Sequence, residues 1–342
     1  MNGRNRKSIN VRMKVLQITT NYPTESNPIF GIFMKEQVES LEPLGVENTI
    51  FFSNGSESYP GIKGGGAIVH FKSVFKLQWH LLRHHYDLIH CHSNISGLIL
   101  ALSGAWLFNK CVLSFQNDPD RYQDAKLFKK LYPFFKKIIV KKPTKYQSRA
   151  KVEYLPNGCN TEFFKSQDRD ACKKQLGLDV SKDYILFVDS NTSKKRTQKR
   201  KDRFDETLRI VREKYGHQNV EELVMIGVER DRVPLYMNAC RLHLMTSDQE
   251  GSPNSIKECL MCNVPIVSTD VGNVREMVMD IDGCYVSDKF SVEELASYVD
   301  KVLKSNIPFN GRNALIKKGY GMNEVAKKLV GIYKNVLAGN SK

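Results

Sequence analysis

The sequence predicts an α/β chain made of two successive Rossmann-like halves, each a parallel sheet with helices. Two observations predict it. Short apolar runs rich in β-branched residues alternate with stretches of helical period, first between Lys14 and Leu155 and again between Tyr184 and Thr269, and strands interleaved with helices imply parallel sheets. The chain of 342 residues, 41% hydrophobic, is also long enough to bury two ordinary cores.

In the first half, Lys14 to Thr20 (KVLQITT) reads as a buried strand that Asn21-Tyr22-Pro23 ends. No GxGxxG follows it, so no dinucleotide cofactor is expected. A loop from Pro23 to Phe33 carries Gly31 and leads into a helix from Met34 to Leu44. The strand Asn48 to Phe52 precedes Gly64-Gly65-Gly66, read as a flexible loop because no Lys-Ser/Thr completes a P-loop, and then a helix from Phe75 to His84. His90 and His92 share one face of the strand Tyr86 to His92, with packing the expected role for at least one of them. Ser96-Gly97 opens a helix, and Val112 to Gln116 is the next strand. Asp118-Pro119-Asp120 is formally a DxD, but no metal is assigned to it.

From Asp124 to Lys151 lysines alternate with aromatic residues before and after the strand Lys137 to Val140. A face carrying Phe128, Leu131, Phe134 and Phe135 either lies on an anionic membrane or packs on the domain.

The second half runs through the strand Tyr184 to Val188, the helix Phe204 to Tyr215, the strand Glu222 to Ile226, the helix Val233 to Ala239 and the strand Leu242 to Thr246. The stretch Asp248 to Glu276 then concentrates the chemistry. Ser252 is the expected N-cap and Pro253 the first position of a helix ending at Cys262, followed by the strand Val264 to Thr269. Amides of Gly251 to Asn254 at the helix start form an anion site suited to phosphate. Glu250 stands beside it, and Glu258 lies about 9 Å further along the helix, roughly a pyrophosphate-to-ribose distance. One ligand that touches all three is a nucleoside diphosphate joined to a sugar. Val292 to Lys304 and Glu324 to Leu337 are the closing amphipathic helices.

Composition narrows the partners. The net charge is +15, and residues 1–151 hold 22 basic and 10 acidic side chains, roughly +12 of that total. Such a surface favours phosphate-bearing or anionic partners without choosing among them. Eight scattered cysteines suit free thiols in a reducing compartment. Cys259 and Cys262 form a CxxC inside a predicted helix with no second pair, which argues against a metal. Met1 to Arg12 is polar and basic, a disordered leader rather than a signal peptide, and the longest apolar run, Ile95 to Phe108, is too short to span a bilayer. The expected location is cytoplasmic, with peripheral contact at the inner face of a plasma membrane left open.

Glu250-Gly251-Ser252-Pro253 followed by Glu258 resembles the E-x7-E pattern of the retaining family 4 ("group 1") glycosyltransferases of bacterial polysaccharide type. Val233 to Ala239, Asp87 to Gly97 and the turn Pro156-Asn157-Gly158 are similar to further motifs of that family. The resemblance implies a GT-B fold: two Rossmann-like domains facing across a cleft, with the last helix returning to the first. It puts residues 1–160 and 325–342 in an N-terminal acceptor domain and 161–324 in a C-terminal donor domain.

By the same resemblance Gly31 faces the donor phosphates, His92 ends its strand at the cleft, and Gln116 replaces a histidine near the donor sugar. Lys199 matches the family's diphosphate lysine. Asp189-Ser190 stand where its arginine would be, leaving Arg196 and Arg200 as candidates for that cation. Glu258 would bind ribose and Glu250 the donor sugar, with Gly251, Ser252, Pro253 and Asn254 around the diphosphate.

The implied activity is metal-independent transfer of a hexose from a UDP- or GDP-sugar to a glycan or lipid-linked glycan, with no nucleic-acid partner. Two other classes remain. A nucleotide-sugar epimerase would need no acceptor, and a basic nucleic-acid-binding protein would bind with a steep salt dependence.

Overall fold

The computed structural model describes residues 12–25, 27–53, 65–189 and 198–339. The chain forms two compact units. The first takes in the chain to Val140, Thr144–Leu155 and everything from Ala326; the second comprises Lys141–Pro143 and Pro156–Val325.

In the first unit β1 (Met13–Thr19) buries Val15, Leu16 and Ile18 completely. Helix α1 (Ile32–Glu39) is shorter than the sequence suggests. Pro43 cannot donate to the preceding turn, and the chain tightens into a 3-10 turn, Glu42–Leu44, ending at Gly45 with φ +86°. Then come β2 (Val46–Phe52) and α2 (Gly65–Leu81). The latter starts ten residues before the expected Phe75, because Gly65 and Gly66 begin the helix instead of belonging to a loop; Gly64 lies outside the described residues.

β3 (Leu88–Cys91) is followed by α3 (Asn94–Ser103). Ser93 and Ser96 close a capping box at the start of α3, each hydroxyl accepting from the other's backbone N–H at 3.0 and 2.9 Å. β4 (Cys111–Phe115), α4 (Tyr122–Leu131), β5 (Lys137–Val140) and β6 (Val152–Tyr154) complete the series. All strand pairs are parallel, in the order β2-β1-β3-β4-β5-β6.

The lysine-aromatic segment resolves in favour of packing. Phe128, Leu131 and Phe135 are buried beneath α4, and Phe134 packs edge-on against Trp106 with ring centroids 5.0 Å apart. These side chains are core, so of the two readings of this segment the structure bears out packing on the domain.

The second unit opens with a short helix, α5 (Arg169–Gln175). Asp168 caps it by accepting from Ala171 N at 2.8 Å. Next are β7 (Asp183–Asp189), α6 (Lys201–Glu213), β8 (Val220–Ile226), α7 (Val233–Ala239) and β9 (Leu242–Met245). α8 (Asn254–Met261), β10 (Ile266–Thr269), α9 (Val274–Val278), β11 (Tyr285–Ser287), α10 (Val292–Lys304) and α11 (Gly311–Lys317) follow.

This sheet is also parallel, in the order β11-β10-β9-β7-β8. Apolar layers cover both faces, one built around Met237, Ile256 and Met277 and the other around Phe187, Phe204 and Val299. Strands covered on both faces read as the continuous apolar runs seen in the sequence.

The last helix, α12 (Met322–Ala338), belongs to the first unit from Ala326 onward. Its Tyr333 is fully buried there and shares a 2.6 Å hydrogen bond with His90 Nδ1. The return of the C-terminal helix is therefore built into that unit's core.

Candidate functional site

In the second unit β7 and β9 are neighbours although β8 intervenes in sequence. The chain leaves β7 for one side of the sheet and continues from β9 toward the other. Such a reversal opens a crevice at the carboxyl ends of the two strands, where open α/β sheets bind ligands.

The segments emerging there are stitched together. Thr246 Oγ1 donates to the carbonyls of Lys199 and Arg200 at 2.9 and 3.0 Å, and Asp248 N donates to Gln198 O at 3.0 Å. Lys199 Nζ donates to Glu250 Oε1 at 2.6 Å, and Ser247 Oγ donates to the same oxygen at 2.9 Å. Fold topology thus brings together two residues that are 51 positions apart in sequence.

Arg200 is more heavily committed. Its guanidinium meets Asp202 at 2.8 Å and Asp248 at 3.1 Å, and the hydrogen bonds it donates to these carboxylates, Asp202 first, hold its pKa above the ordinary value. With its fork spread over two carboxylates, Arg200 organises the loop before α6. Arg196, the other candidate cation, lies outside the described residues.

The start of α8 differs from the expectation by one position. Pro253 is the N-cap, at φ −65° and ψ 123°, and the helix starts at Asn254. Ser252 does not cap; its hydroxyl instead accepts from Lys257 Nζ at 3.1 Å. Lys257 also donates to Asn157 O at 3.1 Å and is fully buried. Burial pushes its pKa down to about 8, with Cys159 and Glu258 acting the other way.

Beneath the same turn His243 bridges Leu186 O at 3.0 Å and Ser255 Oγ at 3.1 Å, and burial lowers its pKa to about 4. Asn254 Oδ1, in the first turn of the helix, is buried with no hydrogen-bond partner among the described residues, a polar atom placed to meet a ligand's donor.

Gly251 is pinned from the other side. Its carbonyl accepts from Asn273 N at 3.1 Å. Gly272, at φ +61°, passes so close that a Cβ there would sit 2.2 Å from that oxygen. Only glycine accommodates both the backbone angle and the approach.

Glu258 sits further along α8 and pairs with Arg230 Nη1 at 2.7 Å. Arg230 in turn lies over the rings of Phe164 and Phe163, at 4.7 and 5.3 Å. Lys257 and Arg230 are the two residues that sequence reasoning missed. A lysine in an amphipathic helix reads as solvated, and nothing local ties Arg230 to a carboxylate 28 positions later. The CxxC thiols Cys259 and Cys262 are buried on α8, where burial pushes Cys262 up to about 12 and Cys259 well above its ordinary value; both are free.

The remaining candidates belong to the first unit. Gly31, at φ +69°, precedes α1, and a Cβ there would meet the Asn21 carbonyl carbon at 2.5 Å. His92 Nε2 is hydrogen-bonded to Gln17 Oε1 at 2.6 Å and is buried; its ring lies 3.8 Å from that of His90. His90, between Tyr333 and Ser114, is a core residue. Gln116 follows β4, half-buried, and donates to His92 O at 3.3 Å. In the Asp118-Pro119-Asp120 segment, Asp118 Oδ1 accepts from Asp120 N at 2.9 Å, and Asp120 Oδ1 accepts from Thr144 Oγ1 at 2.8 Å.

Two Rossmann-like parallel sheets, with the last helix returned to the first, define a GT-B fold. Residues 205–322 match the family model of glycosyl transferases group 1. No curated protein matches the sequence. Among solved structures, sucrose-phosphate synthase from Thermosynechococcus elongatus is similar at TM-score 0.75 and 15% identity over 96% of this chain and 100% of that one. HepE from Anabaena, in complex with UDP-glucose, is similar at TM-score 0.66 and 14% identity over 95% and 100%. An α,α-trehalose 6-phosphate synthase from Burkholderia multivorans follows at TM-score 0.72 and 11% identity over 96% and 98%.

Proposed function

We propose that this chain is a retaining glycosyltransferase that moves a hexose from a UDP- or GDP-sugar to a hydroxyl of a glycan or lipid-linked glycan. The observation that carries the reading is the Lys199–Glu250 pair, held at the carboxyl ends of β7 and β9 beside the first turn of α8. A cation, a carboxylate and helix-end amides in one crevice suit a diphosphate bearing a sugar. The family match over residues 205–322 spans α8 and its flanking strands and supports the same reading. So does the similarity to HepE, whose structure was solved with UDP-glucose.

In this account the amides of Gly251 to Asn254 and the Lys199 ammonium hold the diphosphate, and Lys199 is shared between phosphate and Glu250. Glu258, fixed by Arg230, accepts from the ribose hydroxyls. Glu250 accepts from hydroxyls of the donor sugar. The bond from the anomeric carbon to the leaving phosphate breaks while a bond to the acceptor oxygen forms on the same face. The acceptor proton passes to the departing phosphate oxygen, giving a nucleoside diphosphate and a glycoside. Lys199 offsets the charge that develops on the phosphate, so the account assigns no metal. Gln116 can hydrogen-bond a sugar hydroxyl but takes no proton at neutral pH. His92, Gly31, Arg196 and Arg200 are assigned to donor binding, Arg200 through the loop it organises.

The test is release of UDP or GDP from a panel of nucleotide sugars with and without glycan acceptors. Glu258→Ala should abolish transfer and Lys199→Ala should weaken it severely. Near-normal turnover in both variants contradicts the assignment, and sugar interconversion without an acceptor would establish an epimerase.

A further inference from the structure

Helix α2 is apolar on two opposite sides. Val74 and Leu77 are buried against the first unit's sheet, while Phe71, Phe75 and Trp79 point outward at 62, 58 and 61% exposure. Their four-residue spacing makes one stripe along the helix, and Phe71 and Phe75 stack edge to face with centroids 5.4 Å apart. Gln78 Nε2 donates to Ser103 O at 2.9 Å, fastening α2 to the end of α3. There Leu102, Leu107 and Phe108 are exposed at 67, 61 and 89%. Six large apolar side chains on adjoining elements form a patch that a monomer does not ordinarily leave in water.

The charges around the patch say what covers it. Lys72, Lys76 and Arg83 are exposed next to the stripe, and the Arg83 guanidinium lies 3.3 Å over the Trp79 ring. Between Gly65 and Lys110 the only acidic residue is Asp87. A second copy applied to this face would bring the basic rim against itself without carboxylates to answer it. Lipid phosphates answer it directly, while aromatic rings and lysine stems enter the boundary between headgroups and acyl chains. No helix among the described residues is long and apolar enough to cross a membrane, so the contact is with its surface.

We propose that the outer faces of α2 and α3 dock this chain on an anionic lipid bilayer, a role independent of the reaction assigned to the second unit. The test is flotation of the full chain with vesicles of phosphatidylcholine, with and without phosphatidylglycerol. Partitioning should be about tenfold stronger on the anionic vesicles and fall as salt screens the lysines. Phe71→Ser with Trp79→Ser should lower binding by about tenfold or more. Lys72→Glu with Lys76→Glu should remove the preference for anionic lipid and leave the weaker binding to phosphatidylcholine.

These side chains are solvated, so the melting temperature should hold in each variant. Should the double aromatic variant unfold, Phe108→Ser on the neighbouring turn provides the same reading with a smaller loss. Failure of the wild type to bind anionic vesicles overturns the proposal, as does binding that survives the aromatic substitutions. A wild-type dimer that the same substitutions dissociate would show instead that the patch is a subunit interface.

Discussion

Replacing Lys257 by methionine separates what this residue does for stability from what it does for the loop ahead of α8. Its ammonium is fully buried and donates to Asn157 O and Ser252 Oγ, each at 3.1 Å. Burial lowers its pKa from the ordinary 10.5 to about 8, and at about 1.36 kcal/mol per unit that depression opposes folding by about 3 kcal/mol. Methionine, of similar length, removes the penalty and forfeits two hydrogen bonds worth roughly 1–2 kcal/mol each. The two effects nearly cancel at neutral pH, so stability there should change little, while nucleotide affinity falls because Ser252 loses its tie to Asn157.

Between pH 8 and 10.5 the unfolded chain holds the Lys257 proton and the folded chain does not. The contribution of Lys257 to stability therefore rises with pH across that window and is flat below it. Buried cysteines act the opposite way above pH 9: Cys111 and Cys262 stay protonated to about 12, so stability falls as pH rises. The quantity to measure is therefore the urea-unfolding free energy of wild type minus that of Lys257→Met. Lys141, lowered by burial and by Lys257 to about 7, adds a slope of the same sign. The difference should climb by about 3 kcal/mol from pH 8 to 10.5. A flat difference, or unchanged nucleotide affinity in the variant, refutes the role given to Lys257.

Gly272→Ala should lower the melting temperature and abolish nucleotide binding together, because a Cβ 2.2 Å from Gly251 O displaces the turn that leads into α8; differential scanning calorimetry with and without UDP reads both. Arg230→Met should raise the donor KM at least tenfold with a smaller change in kcat, since Arg230 orients Glu258 through a 2.7 Å pair and touches no reacting atom in this account. His243 should cost the fold about 3 kcal/mol as pH falls from 6.5 to 4, because its folded pKa lies below the unfolded one and the unfolded chain takes the proton first. The measure is the loss of that acid slope in His243→Gln.

Much of the fold was legible, for identifiable reasons. Helices α7 and α10 fall on Val233–Ala239 and Val292–Lys304 as their patterns predict, since proline near the start of one and the Ser291 cap of the other punctuate them locally. The start of α2 was not legible, because glycine costs about 1 kcal/mol in a helix and the packing of Val74 and Leu77 that offsets it is tertiary. The short elements α5, α9, α11 and β11 carry too few residues for a period to show.

Within the second unit's crevice, the sequence pattern named Glu250, Glu258 and Lys199 and left their partners open. The buried Lys257, Arg230 across from Glu258, and the double engagement of Arg200 are consequences of chain segments meeting far from one another in sequence. The phenylalanines of the α4 region were ambiguous for a related reason. An amphipathic face looks the same in sequence whether a core or a membrane receives it, and here a core does.

The most direct test of the central claim is calorimetric titration of the purified chain with UDP and GDP. The account predicts saturable one-to-one binding of one of them, lost in Glu258→Ala and strongly weakened in Lys199→Ala, with both variants folded. Absence of binding by either nucleotide, or affinity that both substitutions leave intact, contradicts a nucleotide-sugar site at the start of α8.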